Sequence, residues 1–244
     1  MREVTIKETI STIDRLLEAT RLKCDETTLN RHLALYDLTH KMRACIDAVI
    51  AVEKYDILCV PTNILYRCLI TDLLTSLLIT VIDENQFKEV MHIMNFKCAQ
   101  SLRKSIKVGT DVRKEIYPND AIEFEKQSLA QQELYYDYFK DCLNSVKGEE
   151  WSFIKKPQIE IQGEKFNGQV DTIYKVLLKY PEVKHIASVY EYYKLFSQSE
   201  HYSLRSRALI YKQDFHNIWY NKTRGYICLG EQYIYDKYKT TYLL

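Results

Sequence analysis

The scarcity of glycine and proline is the feature of this sequence that most constrains its fold. The 244 residues include only six Gly and four Pro, about a third of the share found in an average protein. Tight turns between strands need Gly for a positive φ or Pro for a fixed φ. A chain with so few of them turns rarely, so we expect long helices. The predicted fold class is all-α, a single multi-helix bundle of about seven to nine helices.

The spacing of apolar residues predicts where these helices lie, because they recur at steps of three and four. A first helix contains Ile6 to Leu17, and a second runs from Asp25 to about Glu53. A third begins at Pro61 and is apolar around most of its circumference, which predicts a place in the middle of the bundle. The other predicted helices comprise a fourth ending before Gly109, a fifth from Asn119 and Asp120 to Gly148, and further helices over 169–180 and 183–213. The Tyr-rich segment from Trp219 to Leu244 has no clear pattern.

The segment 148–168 interrupts the helical pattern. It contains Pro157, Gly163 and Gly168 around residues 158–162, which alternate with a period of two. This pattern predicts either a short hairpin or an irregular loop near 155–168. The segment is also a weak candidate for a domain junction. Because the helices on both sides have strongly apolar faces that can share one core, we expect one α-helical domain over residues 1–244.

Charge and cysteine content favour a cytoplasmic protein. Lys and Arg number 34 against 33 Asp and Glu, a balance that does not suggest a nucleic-acid tail or an anionic membrane surface. The seven Cys have no Cys-x-x-Cys spacing, which is typical of a reduced protein without disulfides or a zinc site. The segment from Ile64 to Ile82 is the nearest candidate for a membrane span, but Arg67 and Asp72 interrupt it. We therefore expect a buried helix and no membrane.

One helical stripe near residue 200 contains a candidate site. Tyr193, Ser197 and His201 follow at steps of four, so on a helix they point the same way. Arg205 lies one further turn along. A His held by a Ser hydroxyl beside an Arg can act as a general acid or base. The alternative is a structural His that bonds to Ser197 or to a backbone carbonyl while Arg205 extends to water.

The third helix offers two further candidate catalytic residues, Arg67 and Asp72. Asp72 lies on an apolar stripe, so we expect a buried carboxylate that needs a partner. It belongs either to a structural ion pair or to a polar pocket, where His201 is a candidate partner. Arg67 falls on a different stripe, with Asn63. The absence of His-x-x-x-His and of glycine-rich phosphate-binding motifs from the sequence predicts no metal and no cofactor.

The C-terminal tyrosines are candidates for an interface. Eight of the 20 Tyr fall between Tyr202 and Tyr242. With interleaved Lys and Arg they can stack on single-stranded bases, whereas Tyr at half-buried helix faces is more typical of subunit interfaces. Since basic and acidic residues nearly balance over the whole chain, we expect an interface, and hence a homo-oligomer such as a homodimer or a complex with a protein partner.

Two stretches together resemble a family of bacterial helical domains of unknown function. Its members pair an apolar Arg-x-x-x-Glu helix with a later Tyr-x-x-x-Ser-x-x-x-His helix. Here Arg67 to Asp72 is similar to the first motif, with the acidic residue one position later, and Tyr193 to His201 is similar to the second. The chain is also loosely similar to HEPN-type helical bundles, many of which are metal-independent ribonucleases. Their Arg-x(4–6)-His motif does not occur in this sequence, so that likeness covers the bundle alone.

The sequence therefore predicts a cytoplasmic helical protein that acts through protein–protein contacts. The alternative that the resemblance implies is a HEPN-like metal-independent ribonuclease or nucleotide-processing enzyme, with RNA as its partner. That enzyme would use His201 with Arg205 and Asp72, and Ser197 and Arg67 would complete the site.

Overall fold

The computed structural model describes residues 4–21, 30–53, 55, 60–198 and 213–243. Within these ranges the chain is mostly helical, with eight helices of two turns or more, the one-turn helix α7 and one small antiparallel hairpin. The helices are α1 (Ile6–Arg21), α2 (Arg31–Glu53), α3 (Val60–Val81), α4 (Glu84–Ile116), α5 (Ala121–Phe139), α6 (Val170–Leu177), α7 (Lys184–Ala187), α8 (Tyr190–Ser197) and α9 (Gln213–Tyr238). The strands are β1 (Ile159–Ile161) and β2 (Glu164–Phe166). The predicted all-α fold class and the short hairpin are confirmed.

Contacts divide the chain into two compact units. The first unit comprises Met1–Ile82 and Val170–Leu244, and the second comprises Asp83–Gln169. The second boundary directly follows the segment 148–168 that the sequence marks as a weak junction. The first boundary separates α3 from α4, where the sequence has neither Gly nor Pro. The expectation of one domain stays a prediction.

Helix α3 provides the core of the first unit. Thirteen of its 22 residues are buried, as the apolar composition of the segment predicts. Val60–Val81 is the one helix among the described residues that is long and apolar enough to cross a membrane, and most of it is buried within the fold. Helix α9 packs closely on it, because a Cβ added at Gly230 would lie 2.5 Å from Cδ1 of Leu73. Only glycine allows this approach without displacing that side chain.

The second unit is built on α4, which is about 50 Å long. Asp83 caps its N-terminus: its side chain accepts from the Gln86 backbone N–H, and the Gln86 side chain accepts from the Asp83 N–H. This reciprocal capping box provides acceptors for two backbone N–H groups at the start of the helix, which have no partner within the helix itself. The middle of the helix packs on a core cluster of Ala99, Leu143 and Trp151. The C-terminal part of α4 then pairs with α5 to form a two-helix hairpin, the α4–α5 hairpin.

The two residues at the turn of the β hairpin have the backbone angles that a tight hairpin needs. Ile159 pairs with Phe166, and Ile161 with Glu164. The two residues between the strands, Gln162 and Gly163, have φ angles of 51° and 76°. Two consecutive positive φ angles fit the twist of a two-residue hairpin loop, and glycine adopts the second one at no steric cost.

Several predicted helix ends are wrong. Helix α4 continues through Gly109 to Ile116, since an interior glycine costs a helix only about 1 kcal/mol. Helix α5 ends at Phe139 instead of Gly148, because a 3₁₀ turn and an extended bridge from Leu143 to Phe153 follow it. The predicted helix over 183–213 contains α7 and α8 as separate helices. The predicted start of the second helix at Asp25 lies outside the described residues.

Candidate functional site

Asp72 is buried, as its helical stripe predicts, and it pairs with a lysine on α2. Its carboxylate accepts a hydrogen bond from Nζ of Lys41, with 2.8 Å between Nζ and Oδ1. The Lys41 side chain is 60% exposed while that of Asp72 is 3% exposed. Burial raises the pKa of Asp72, and the hydrogen bond and charge of Lys41 only partly oppose this. The other oxygen, Oδ2, is buried without a hydrogen-bond partner among the described residues. The contact is thus a structural ion pair open to water on its lysine side.

Arg67 lies with the α8 residues of the predicted stripe, apart from the ion pair of Asp72. Its Cζ lies 5.0 Å from the centre of the Tyr193 ring, and Nη2 donates to the Tyr193 hydroxyl at 3.3 Å. This geometry combines a cation–π contact with a hydrogen bond. It brings together residues from the two motifs on which the family resemblance is based.

Ser197 hydrogen-bonds to its own helix. Its hydroxyl donates to the backbone carbonyls of Tyr193 and Lys194, at 3.1 and 2.9 Å. The residues of α8 that are buried are Tyr192 and Phe196, so the predicted stripe of Tyr193 and Ser197 is only half-buried. A serine hydroxyl in such bonds satisfies the last turn of a helix.

The remaining predicted catalytic residues, His201 and Arg205, lie outside the described residues. The pairing of His201 with Asp72, and the ribonuclease or nucleotide-processing activity that depends on His201 and Arg205, therefore stay predictions. The same holds for the resemblance to the bacterial family.

A buried imidazole that the sequence analysis did not single out lies between α3 and α9. His216 is 2% exposed, and its Nδ1 lies 3.3 Å from Oδ1 of Asn63. The same oxygen accepts the hydroxyl of Tyr220 at 2.8 Å. Because an amide oxygen can only accept, the contact is a hydrogen bond when Nδ1 carries the proton. Asn63 is thus the polar centre around which the two helices meet.

An arginine continues this polar layer along α9. Arg224 donates from Nε to the backbone carbonyl of Val4 at 3.0 Å and from Nη1 to the Tyr66 hydroxyl at 2.8 Å. Burial raises the pKa of Tyr66 to about 12, although the nearby guanidinium lowers it. The Tyr66 ring stacks on Tyr220, with 4.5 Å between centroids. These side chains connect α3, α9 and the N-terminal segment of the first unit.

The described C-terminal tyrosines pack within the first unit. Tyr238 bonds to His32, Tyr226 to Ser188, and the guanidinium of Arg15 lies over the Tyr235 ring. Tyr220 and Tyr238 are buried. The sequence treats these residues as a candidate interface, but their rings are occupied by intramolecular contacts.

No group of three metal-ligating side chains occurs among residues 4–21, 30–53, 60–198 and 213–243. Two Glu-x-x-His spacings, from Glu89 to His92 and from Glu182 to His185, are present in the sequence. Neither gathers a third ligand in the described part of the chain. A Glu and a His alone do not complete the coordination that a structural or catalytic metal needs.

One side of the α4–α5 hairpin is a cleft of about 600 Å³. Its walls are charged: basic side chains project from α4, and acidic ones from α5 and the turn at Gly148. Two ion pairs cross it, Arg103 with Glu150 at 2.6 Å and Lys114 with Glu125 at 2.5 Å. Gln132, the single buried residue of α5, lies at its floor. We call this side the charged cleft.

Two stripes of the hairpin outside the charged cleft contain no charged residue. On α4, Val108, Val112 and Ile116 follow at steps of four, and on α5, Phe124, Gln131, Tyr135 and Tyr138 follow at steps of seven, four and three. We call these seven residues the uncharged face. The Phe124 ring contacts Tyr117 and the guanidinium of Arg113, which lies 5.3 Å from the ring centre. The helical repeat places these residues away from those that line the cleft.

Comparison with known proteins adds no assignment. No family model, no curated protein and no solved structure matches this chain.

The buried stripe of α9 that contains His216 can be recognised in the sequence by its helical spacing. His216, Tyr220, Ile227, Glu231, Ile234 and Tyr238 recur at helical spacing and are all buried. Because four of these six positions are polar or aromatic, the stripe does not stand out as hydrophobic. The α4 residues of the uncharged face, Val108, Val112 and Ile116, lie on both sides of the predicted helix end at Gly109, so the sequence does not predict them as one stripe.

Proposed function

We propose that this chain is a cytoplasmic helical module that acts through protein–protein contacts made by the uncharged face. The observation that carries the proposal is the exposure of large apolar side chains there: Ile116 is 60% exposed and Tyr138 is 77% exposed. Contiguous apolar patches that remain exposed on a folded chain are typical of interaction sites. Full burial of one such side chain contributes about 1.5–3 kcal/mol, so a partner that covers several gains appreciable affinity.

The residues of the uncharged face are exposed, except for Phe124, which packs on Tyr117 and Arg113. Helix α5 has 19 residues, of which only Gln132 is buried, and the last buried residues of α4 are Ile106 and Thr110. An amphipathic helix normally directs its apolar stripe toward the core of its own domain. Here Tyr135 and Tyr138 are 39% and 77% exposed. A covering protein surface accounts for this arrangement.

The polar clusters of the first unit favour a structural role over catalysis. A general acid or base must touch the group that reacts, whereas His216 is 2% exposed and hydrogen-bonded to Asn63. Asp72 is paired with Lys41, and the Ser197 hydroxyl donates to backbone carbonyls. His216 and Asp72 thus join neighbouring helices, and Ser197 bonds within its own helix, which supports the contact module over the enzyme.

Site-specific photo-crosslinking tests the proposal. A benzophenone amino acid placed at Tyr138 is expected to form a defined crosslinked product at micromolar protein concentration, because the side chain lies within the proposed contact. Ile122 provides the matched control on the same helix, since it is 71% exposed but shares the stripe of Leu129, which lines the charged cleft. Equal products from both positions, or none from Tyr138, would contradict the proposal.

A further inference from the structure

Helices α2 and α3 pack against each other in a register that two contacts define. Nη1 of Arg31 donates to the backbone carbonyl of Ile82, just past the end of α3, at 2.8 Å. Nζ of Lys41 donates to Oδ1 of Asp72, also at 2.8 Å. Ten residues forward along α2 therefore correspond to ten residues back along α3. The two helices run antiparallel, and the residue opposite any position near these contacts follows from the numbering.

The same register places two cysteines opposite each other. Cys45 lies one turn beyond Lys41 on α2, and Cys68 lies one turn before Asp72 on α3. Because residues four apart share a face of a helix, each thiol lies on the side of its helix that carries the ion pair. Both cysteines are half-buried, and neither is in a disulfide. Two free thiols thus lie at the same level of the α2–α3 contact, with part of their surface open to water.

We propose that Cys45 and Cys68 are a redox-active pair, which a peroxide converts into a reversible disulfide between α2 and α3. The site lies in the first compact unit, so the proposal is independent of the uncharged face. In reducing surroundings such a disulfide forms transiently and is typical of redox sensing. The bond would fasten the two helices one turn away from the ion pair.

The packing distance of the two helices allows this bond. A disulfide needs Cα atoms within about 7 Å of each other. Among the described helices, α2 and α3 form the most extensive contact. Packed helices have axes about 8–10 Å apart, and each Cα lies about 2.3 Å from its own axis, so facing Cα atoms come within roughly 4–7 Å. Opposite positions in a close antiparallel pair are therefore within reach of a disulfide.

The electrostatics of the site agree with this placement and distinguish the two thiols. Burial, together with the charges of Asp72 and Cys68, raises the pKa of Cys45 to about 11, although Lys41 lowers it. Cys68 thus lies close enough to Cys45 to act on it electrostatically, as the register requires. With so high a pKa, Cys45 is almost entirely a thiol at neutral pH, and the thiolate is the form that reacts. We therefore assign the first step to Cys68.

The reaction has two steps. The Cys68 thiolate attacks one oxygen of hydrogen peroxide, the O–O bond breaks, and a sulfenic acid and hydroxide form. The Cys45 sulfur then attacks the Cys68 sulfur, the S–O bond breaks, and the hydroxide leaves as water with the Cys45 proton. Two thiols and one peroxide thus give one disulfide and two water molecules, and each sulfur loses one electron to a peroxide oxygen. A small dithiol restores both thiols by exchange.

Peptide mapping of the oxidised full chain tests the pair. The reduced protein is treated with hydrogen peroxide, the remaining thiols are blocked with N-ethylmaleimide, and tryptic peptides are identified by mass spectrometry. The main linked product is expected to join residues 44–54 to residues 68–88, because cleavage after Arg43 and Arg67 releases each cysteine in its own peptide. Dithiothreitol is expected to separate the two peptides again. No linked peptide, or a different pair as the main product, would overturn the proposal.

Two controls show that the folded register selects this pair. Cys98→Ser is the matched variant, because Cys98 is exposed and free but lies on α4. It is expected to leave the yield of the linked peptide unchanged, whereas Cys68→Ser abolishes it. Oxidation of the unsubstituted chain in concentrated urea is expected to remove the preference, since the register exists only in the folded protein. The same preference in urea would show that the fold does not create it, which would overturn the proposal.

A sulfenic-acid trap tests the order of the two steps. With Cys45→Ser, dimedone is expected to label Cys68 after addition of peroxide, because no second thiol then removes the sulfenic acid. With Cys68→Ser, labelling of Cys45 is expected to be roughly 10-fold slower at neutral pH. The raised pKa of Cys45 lowers its thiolate fraction, and the higher nucleophilicity recovers only about half of that loss on a logarithmic scale. Equal or faster labelling of Cys45 would overturn the assigned order.

Discussion

Replacement of Glu231 by Gln is expected to stabilise the protein strongly at alkaline pH and to leave its stability nearly unchanged in acid. Glu231 is completely buried on α9, between Ile227 and Ile234, one turn to either side. Neither carboxyl oxygen has a hydrogen-bond partner among the described residues. Burial raises the pKa of this carboxyl to about 8, so the side chain is neutral in the folded protein through most of the physiological range.

The direction of the pH dependence follows from the two pKa values. In the unfolded chain a Glu ionises near its ordinary pKa of about 4.3, while in the folded protein it stays protonated until about pH 8. Its contribution to the free energy of unfolding is therefore fully present below the unfolded pKa and is lost as the pH rises toward 8. The loss is about 1.4 kcal/mol per pH unit, or roughly 5 kcal/mol in total. Above pH 8 it stays constant.

Urea unfolding at several pH values between 4 and 8.5 measures this effect. The difference between Glu231→Gln and the unsubstituted chain removes the contribution of every other titrating group. It is expected to be small at pH 4 and to reach several kcal/mol at pH 8. Glu18→Gln is the matched control, because Glu18 is exposed on α1. Parallel pH profiles for the unsubstituted chain and Glu231→Gln would show that the carboxyl has a polar partner or access to water.

The fold could be predicted from the sequence where a local pattern of residues defines a helix or a strand. Helix α3 follows from Pro61 and an apolar run, and the hairpin follows from alternation next to Gly163. Helix α9 was not predictable in the same way, because Glu231 and Gly230 occupy core positions where a stripe normally has aliphatic residues. Gly230 is explained only by the close approach of Leu73, which is a tertiary contact and leaves no local pattern.

The site was predictable only to the level of single residues. The burial of Asp72 follows from its stripe, since neighbours at helical spacing share a face. Its partner Lys41 does not, because that lysine lies on α2 and its side chain extends along the surface. The contact of Asn63 with His216 joins residues 153 positions apart, a distance at which periodicity carries no information. Pairing between elements has to be read from the structure.

The second prediction concerns the ion pair of Lys41 and Asp72. Replacement of the lysine is expected to destabilise the protein much more than replacement of the aspartate. Lys41→Met keeps the aliphatic stem but leaves the buried carboxylate of Asp72 without its cation. Removal of one partner from a fully buried pair costs about 3–5 kcal/mol, and because the Lys41 side of this pair is exposed to water, the expected cost at pH 7.5 is below about 3 kcal/mol. Because burial already raises the pKa of Asp72, loss of Lys41 raises it further. The cost should therefore diminish as the pH falls and the carboxyl becomes protonated in both states.

Asp72→Asn is expected to cost less than about 1 kcal/mol, because the Lys41 ammonium is largely exposed and returns to water when its partner is lost. The double variant Lys41→Met, Asp72→Asn should recover most of the stability that Lys41→Met alone loses, since no buried charge then remains. Urea unfolding of the four proteins at pH 7.5 and pH 4 gives the complete cycle. If Asp72→Asn is as destabilising as Lys41→Met, the carboxylate accepts further hydrogen bonds that hold the helices together, and a purely structural ion pair with an exposed lysine is the wrong description.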